Sequence, residues 1–327
     1  MERNRLLRIT LNNTSLILFV LLFIIFGIIA PRFLTGANIT NILFAASYMG
    51  ILATGMTFVL LAGGIDLSVG SNMYLSGVIA GLMINQVGAP IWVAFLVAVI
   101  VGGAFGFINA FFITRLKIVP FIVTLSTLIA ARGAGLLITR SRSVDFPPEV
   151  NALAVTDVFG FLPLPIFVLI LVVLISHLVL TRTQFGRQIY ALGNNEESAQ
   201  KAGINTRRLQ SSIYVISGVL AAVAGFVSLT QIGRVQPNFG EAYELDAIAA
   251  SVLGGASLFG GVGSVFPGTV LGTLMIQMIQ AGLVFAAVDI YVQPIILAAI
   301  IFFAVFLDSV RSRQIARLER RHIMKLE

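Results

Sequence analysis

Successive runs of about 20 mostly apolar residues, with charge confined to the gaps between them, constrain this chain more than any other feature, because each run is long enough to cross a bilayer as a helix. They fall at roughly 14–30, 39–62, 66–86, 90–114, 120–138, 163–180, 210–231, 246–261, 264–285 and 290–308. The pattern predicts an all-α integral membrane protein of about ten transmembrane helices, forming one domain over 1–327. Only 11% of the residues are charged and 58% are hydrophobic, against about 25% charged in a soluble domain. A surface that poor in charge cannot be kept wet. The first run follows Arg3, Arg5 and Arg8, as a signal peptide would, but no small-residue cleavage site follows it, so it reads as a retained first helix.

Charge sets the orientation. With the amino terminus in the cytoplasm and ten spans, five basic residues (Arg32, Arg132, Arg140, Arg142 and Arg234) fall outside or near the outer helix ends, and the other sixteen of the 21 fall inside. That bias follows the positive-inside rule and puts both termini in the cytoplasm. It also accounts for the net charge of +7 without a nucleic-acid partner. The chain has no cysteine and two histidines, which excludes disulfides and thiolate metal sites. Two extramembrane segments are long: about 139–162 outside, and about 181–209 inside, polar throughout. The basic tail, 309–327, reads as cytoplasmic. No GxxxxGK[ST] phosphate loop occurs, so a pump built on this chain needs its ATPase on another one.

Two glycine-rich stretches resemble each other. GGIDLSVG begins at Gly63 and Gly64, and GGASLFGGVG begins at Gly254 and Gly255. Each has Leu four residues after the first Gly (Leu67, Leu258) and Gly three residues later (Gly70, Gly261). This spacing predicts an internal repeat, and glycine-interrupted apolar segments at corresponding places in two halves mark a transport path. Close helix packing explains small residues equally.

The inner segment contains a predicted short helix at about 195–202. Asn194 is placed to cap the Glu197 amide, with Glu197 in the capping-box position. Glu196 and Glu197 then lie in the first turn and Lys201 in the last, both favourable to the helix dipole, and Gly203 stops the helix. Two turns are marginal alone in water, so this helix must rest on its own bundle or on a partner.

At this point the sequence resembles a known family. Glu197-Ser198-Ala199 followed by Gly203 is similar to the "EAA…G" cytoplasmic loop of ABC importer permeases. GGIDLSVG, the LKIVPFIVTLSTL segment at Leu116–Leu128, GRQIYALGNNEESAQKAGI and YELDAIAASVLGG at Tyr243–Gly255 resemble the permeases of ribose-type monosaccharide importers, in order and over nearly the whole chain. The resemblance implies a bacterial inner-membrane subunit that pairs with a second permease and works with ATP-binding cassette subunits and an extracytoplasmic sugar-binding protein. ATP and magnesium would then sit on the partner, and this chain would carry no cofactor, no metal and no catalytic residue. It further implies that Gly186, Arg187, Asn194, Glu196, Glu197, Ala199, Gly203 and Ile204 form or support the coupling helix.

Other residues have two readings. Asp66 is an ionisable residue inside the membrane, which is costly and usually functional, or it is the N-cap of the third span. Ser68 and Asn72 beside it bond across helices or line a polar path. Asn109, Thr124, Ser126 and Thr127, in otherwise apolar helices, either meet sugar hydroxyls or join helices. Arg132 snorkels outward or pairs with an acid such as Asp145. Glu241, Glu244 and Asp246 form an acidic cluster expected at the outer mouth, where they receive a binding protein or are merely solvated. Rival functions are an ion-coupled secondary carrier, which needs intramembrane carboxylates that are scarce here, an intramembrane enzyme, for which no acid–base or nucleophile constellation exists, and an ABC permease for nucleosides or branched-chain amino acids.

Overall fold

The computed structural model describes residues 14–303 together with Phe306. The basic tail at 309–327 and the amino-terminal arginines lie outside the described residues. The chain forms a helical bundle: α1 Thr14–Ile29, α2 Gly36–Leu61, α3 Val69–Val87, α4 Ile91–Arg115, α5 Pro120–Thr139, α6 Pro148–Ala152, α7 Leu164–Arg182, α8 Gln184–Asn194, α9 Glu196–Lys201, α10 Thr206–Ile232, α11 Tyr243–Leu253, α12 Val270–Phe285 and α13 Gln293–Phe303. A single π-type turn, Val265–Thr269, leads into α12. Two small antiparallel pairs close one end: β1 (Val144–Asp145) with β4 (Arg234–Val235), and β2 (Asp157–Val158) with β3 (Leu162–Pro163). This is the strand end of the bundle. The opposite, short-helix end carries α8 and α9.

The long helices α2 and α10 run through the centre, buried over most of their length. Apolar all round, they are cut off from lipid by their neighbours. In contrast α4, α5 and α7 bury one face and expose the other. Glycine sets the closest approach. A Cβ on Gly102 would overlap the Gly218 carbonyl, one on Gly106 the Tyr214 carbonyl, and one on Gly218 the Gly102 carbonyl. Small residues four apart on α4 thus let its backbone lie directly on that of α10.

The expected count of ten spans is met in part. Among the described residues six helices are long and apolar enough to cross a membrane, and α1 and α13 are shorter apolar helices. The third expected span corresponds to α3, a helix of 19 residues that is not among those six. The eighth is not a span. Its helix, α11, has 11 residues and reaches about 16 Å, half of the ~30 Å hydrocarbon thickness. The segment before it explains the shortfall. From β4 at the strand end, residues 236–242 run without helix down into the bundle, until Gly240 lies backbone to backbone against Gly70 in the first turn of α3.

The inner segment also differs from expectation. Residues 184–194 form a helix, α8, whose Gly186, Ile189 and Leu192 are buried at a three-residue spacing. The helix expected at about 195–202 is α9, Glu196–Lys201, and its cap is Asn195, not Asn194: the Asn195 Oδ1 accepts from the Ser198 amide at 2.8 Å. Glu197 makes no capping box. It pairs with Lys201 at 2.6 Å. The one-residue shift arises because Asn194 still belongs to α8.

Candidate functional site

Three arrangements place the residues singled out in the sequence. The first is a buried polar network around Asp66. The chain leaves α2 at Leu61, turns at Gly63, and climbs back into the bundle before α3 begins. Asp66, 1% exposed, accepts the amide of Ser68 at 3.0 Å and its hydroxyl at 2.6 Å on Oδ1, and the Ser217 hydroxyl at 2.8 Å on Oδ2. Asn109 Nδ2 donates to Ser68 Oγ at 2.8 Å, and the Thr127 hydroxyl donates to Asn109 Oδ1 at 2.7 Å. Thr124 bonds the Pro120 carbonyl and reaches the Ile65 carbonyl at 3.4 Å. Asn72 donates to the carbonyls of Gly102 and Gly218, where α4 and α10 approach most closely. Ser217 lies eleven residues into α10, roughly 16 Å from its start at 1.5 Å per residue. The GGIDLSVG stretch therefore starts as an exposed turn at Gly63 and carries Asp66 back into the buried interior of the bundle before α3 begins.

The network joins α3, α4, α5 and α10, and its polar atoms satisfy one another, as buried polar groups must. This geometry favours the helix-joining reading of Asp66, Ser68, Asn72, Asn109, Thr124 and Thr127. Ser126 does not belong with them. It is exposed on the far side of α5 and bonds only the Ile122 carbonyl of its own helix. Sequence reasoning missed Ser217, although a serine in the apolar stretch of α10 is the same kind of signal as Asn109. It also missed a second knot, in which the Thr57 hydroxyl meets those of Thr269 at 2.6 Å and Ser251 at 3.1 Å, tying α2 to α11 and the π-type turn.

The second arrangement is the descending segment 236–242 with the start of α11. Arg132 does not pair with Asp145, which instead binds Arg234 across the β1–β4 pair. The Arg132 guanidinium donates to the Phe239 carbonyl at 2.6 Å and the Pro237 carbonyl at 3.1 Å, lies over the Tyr74 ring at 4.6 Å, and faces the carboxylates of Glu241 and Glu244. Gly70 is pressed against both the Gly240 carbonyl and the Glu244 carboxylate. Asp246 accepts from Gln280 at 3.3 Å, while Tyr48 stacks on Tyr243 with 5.9 Å between centroids. The acidic cluster expected at the outer mouth thus sits deep, level with the first turn of α3. Glu241, Ala242 and Leu245 are exposed on that deep face. Replacing Arg132 by Gln removes the charge-assisted bonds that hold 237–239 in place; the structure predicts that this segment becomes accessible to protease or to a thiol reagent at an introduced cysteine, with the overall helix content unchanged in circular dichroism.

The third arrangement is at the short-helix end. Gly186 lies against the Leu180 backbone, where a Cβ would overlap it. Arg187 and Gln184 from α8, with Ala202, Gly203 and Ile204 after α9, line an open depression. Ala199 is buried against the bundle, and Glu197 and Lys201 point away from it, 77% and 76% exposed. Gly203 has a φ of 83°, the left-handed conformation that ends a helix. Gly254 packs on the Gly268 backbone and Gly255 has a φ of 95°, so both belong to the turn after α11. The Tyr190 hydroxyl, whose pKa is pushed up by partial burial, donates to the Gly263 carbonyl at 2.9 Å. Among the described residues no group of His, Asp or Glu could hold a metal ion.

Comparison with known proteins matches residues 38–307 to the family described as branched-chain amino acid transport system / permease component. The chain is 37% identical over 310 residues to the ribose import permease of Haemophilus influenzae, covering 92% of this chain and 94% of that one. It is 38% identical to the ribose import permease of Bacillus subtilis, covering 89% and 91%, and 38% identical to the D-allose transport system permease of Escherichia coli, covering 88% and 89%. No solved structure matches it significantly. A buried carboxylate held by hydrogen bonds from two helices, a deep non-helical segment and a capped two-turn helix at one end are thus carried on a chain that belongs to the branched-chain amino acid transport system permease family.

Proposed function

We propose that this chain is the membrane-spanning subunit of an ATP-binding cassette importer that carries a monosaccharide into the cytoplasm. The observation that carries the proposal is its likeness, along nine-tenths of its length, to the ribose import permease. The partners are an ATP-binding subunit, which supplies ATP and magnesium, a second permease chain, and an extracytoplasmic sugar-binding protein. The short-helix end faces the cytoplasm. Arg115, Lys117, Arg182, Arg187, Lys201, Arg207 and Arg208 gather there, while Arg32, Arg140, Arg142 and Arg234 lie toward the strand end, as the positive-inside rule requires. The reading is a multi-pass inner-membrane protein with both termini in the cytoplasm.

In this reading α9 is the coupling helix. Its exposed Glu197–Lys201 face and the adjoining depression receive the ATP-binding subunit, and its buried Ala199 seats it on the bundle. The double variant Glu197→Ala with Gly203→Ala is expected to insert normally and to lose most sugar uptake; wild-type uptake would remove the coupling assignment.

The deep acidic face supports the second permease chain. A carboxylate exposed to hydrocarbon is costly, so Glu241 and Glu244, with exposed Ala242 and Leu245 between and beside them, face a protein-lined, wet space. A second permease closing over this face makes that space a path, whose carboxylates accept hydroxyl hydrogen bonds. Their depth argues for a place along the path rather than for docking of the binding protein. Glu244→Gln, which keeps the shape and removes the charge, is expected to lower uptake several-fold while the permease pair still assembles.

The deciding experiment is mild detergent purification of the tagged chain from its host, with mass spectrometry of what accompanies it and ATPase assay of the complex. An ATP-binding subunit in stoichiometric amount supports the importer; a chain that comes alone under several mild detergents, and drives uptake with an ion gradient in liposomes, overturns it. The family description favours one second reading, an amino-acid cargo. Isothermal titration of the accompanying binding protein with ribose, allose and leucine separates the two.

A further inference from the structure

At the short-helix end three chain segments meet, mostly through their backbones. The first is Leu61–Gly63, where α2 ends. The second is the glycine loop 254–263 after α11. The third is Gly193–Asn194, the last two residues of α8, directly before the cap of α9. The Gly261 amide donates to the Leu61 carbonyl at 2.9 Å. Gly193 fits into this contact with no room to spare, since a Cβ on it would overlap the Leu61 carbonyl and the Gly261 nitrogen. Gly260, at φ 90°, lies on the Gly193 backbone and beside the Gly63 nitrogen, and Gly261, at φ 72°, lies on Asn194. Tyr190 on α8 adds its bond to the Gly263 carbonyl. The two stretches that resemble each other in sequence are therefore in contact, and the residue between them belongs to the helix leading into α9.

We infer that Gly193, seated against Gly260 and Gly261, is the positioning residue that transmits displacement of α9 directly to α11, and so to the acidic face of the path. The inference rests on the importer reading. Backbone-on-backbone contact has no side chain to yield, so a push on α9 cannot be absorbed locally as it would be by a flexible side chain. The 254–263 loop is continuous with the end of α11: the Gly254 and Gly255 amides bond the Ala250 and Val252 carbonyls of that helix. Leu61, on the other side, ends the central helix α2. Movement of α9 therefore reaches α2 and α11 at one point.

The chain has no cysteine of its own, so Leu245→Cys, on the exposed face of α11, reports that face alone. The complex carrying it, assembled with its ATP-binding subunit in liposomes, is labelled with a membrane-impermeant maleimide with and without ATP and vanadate, and ATP hydrolysis is measured alongside. The expected result is a labelling rate that changes at least five-fold with nucleotide, and that loses this change in Gly193→Ala while hydrolysis continues. Gly133→Ala, where a Cβ meets nothing, serves as the control and retains the full change. If Gly193→Ala does not assemble, Tyr190→Phe replaces it, with the nucleotide-dependent change expected to shrink at least two-fold. A full labelling change in Gly193→Ala, or in Tyr190→Phe where that stands in, overturns the inference, as does a Leu245→Cys complex whose labelling ignores nucleotide while ATP is hydrolysed. A wild-type chain with no ATP-binding subunit overturns the importer reading itself, which the purification reveals before any labelling is done.

Discussion

Gly106→Val is expected to abolish the folded bundle. At this position a Cβ alone overlaps the Tyr214 carbonyl and crowds the Val215 Cα, and valine adds two methyl groups on top. The obstacle is backbone in the middle of α10, held by its own helical hydrogen bonds, so relief requires α4 and α10 to separate. Ordinary overpacking costs about 1–3 kcal/mol because side chains shift aside; here the shift must break the backbone contact of α4 with α10 and the two Asn72 bonds that bridge it. The expected readout is loss of the monodisperse peak in detergent size-exclusion chromatography, with protein recovered only as aggregate. Gly103→Val, three residues away on the same helix, meets only the tip of Val219 and is expected to elute as wild type. Equal behaviour of the two variants would show that backbone proximity is not what holds α4 to α10.

Asp66→Ala is expected to have the second largest effect. The carboxylate accepts three hydrogen bonds, from the Ser68 amide, the Ser68 hydroxyl and the Ser217 hydroxyl. Alanine leaves those donors buried without an acceptor, at about 1–3 kcal/mol for each group that finds no substitute. Ser68 can turn its hydroxyl, so the net loss is about 3–5 kcal/mol, and the damage reaches Asn109 and Thr127 through the shared Ser68 oxygen. A fall of at least 10 °C in the midpoint of thermal unfolding in detergent is expected, and α5 should loosen first because Thr127 is its tie to α4. Asp66→Asn keeps one acceptor oxygen and should lose about half as much. A midpoint for Asp66→Ala within two degrees of wild type would mean that the network is not structural.

Much of this protein follows from sequence patterns with a local physical cause. Apolar runs of bilayer length dictate membrane helices because no other open structure satisfies its backbone in lipid. The distribution of arginine and lysine gives an orientation. The acidic first turn, basic last turn and glycine stop give the short helix at 196–201 to within a residue or two, since capping acts over four residues and can be read from them. The missed helix at 184–194 was equally legible, as its buried Gly186, Ile189 and Leu192 recur every three residues. The motif stretches that resemble sugar permeases were legible for the same reason: they are contiguous.

Only the tertiary structure decided how far apolar character corresponds to crossing. Residues 246–261 are as apolar as a span, yet the helix ends at Leu253, because Arg132 holds the preceding segment 237–239 deep in the bundle from a position more than a hundred residues earlier. The same non-local fact moved Glu241, Glu244 and Asp246 from the outer mouth to the interior level. The sequence leaves Asp66 as a cap or a functional carboxylate, and only the fold brings Ser217, 151 residues away, onto its second oxygen. Ser126 and Thr127 are neighbours of the same type, and helix rotation alone sends one outward and the other into the network. Asn194 lost its capping role to Asn195 because α8 continues one residue further. Capping, charge bias and apolar length are properties of neighbouring residues and belong to the sequence; depth, facing and backbone contact depend on which distant segments arrive at the same place.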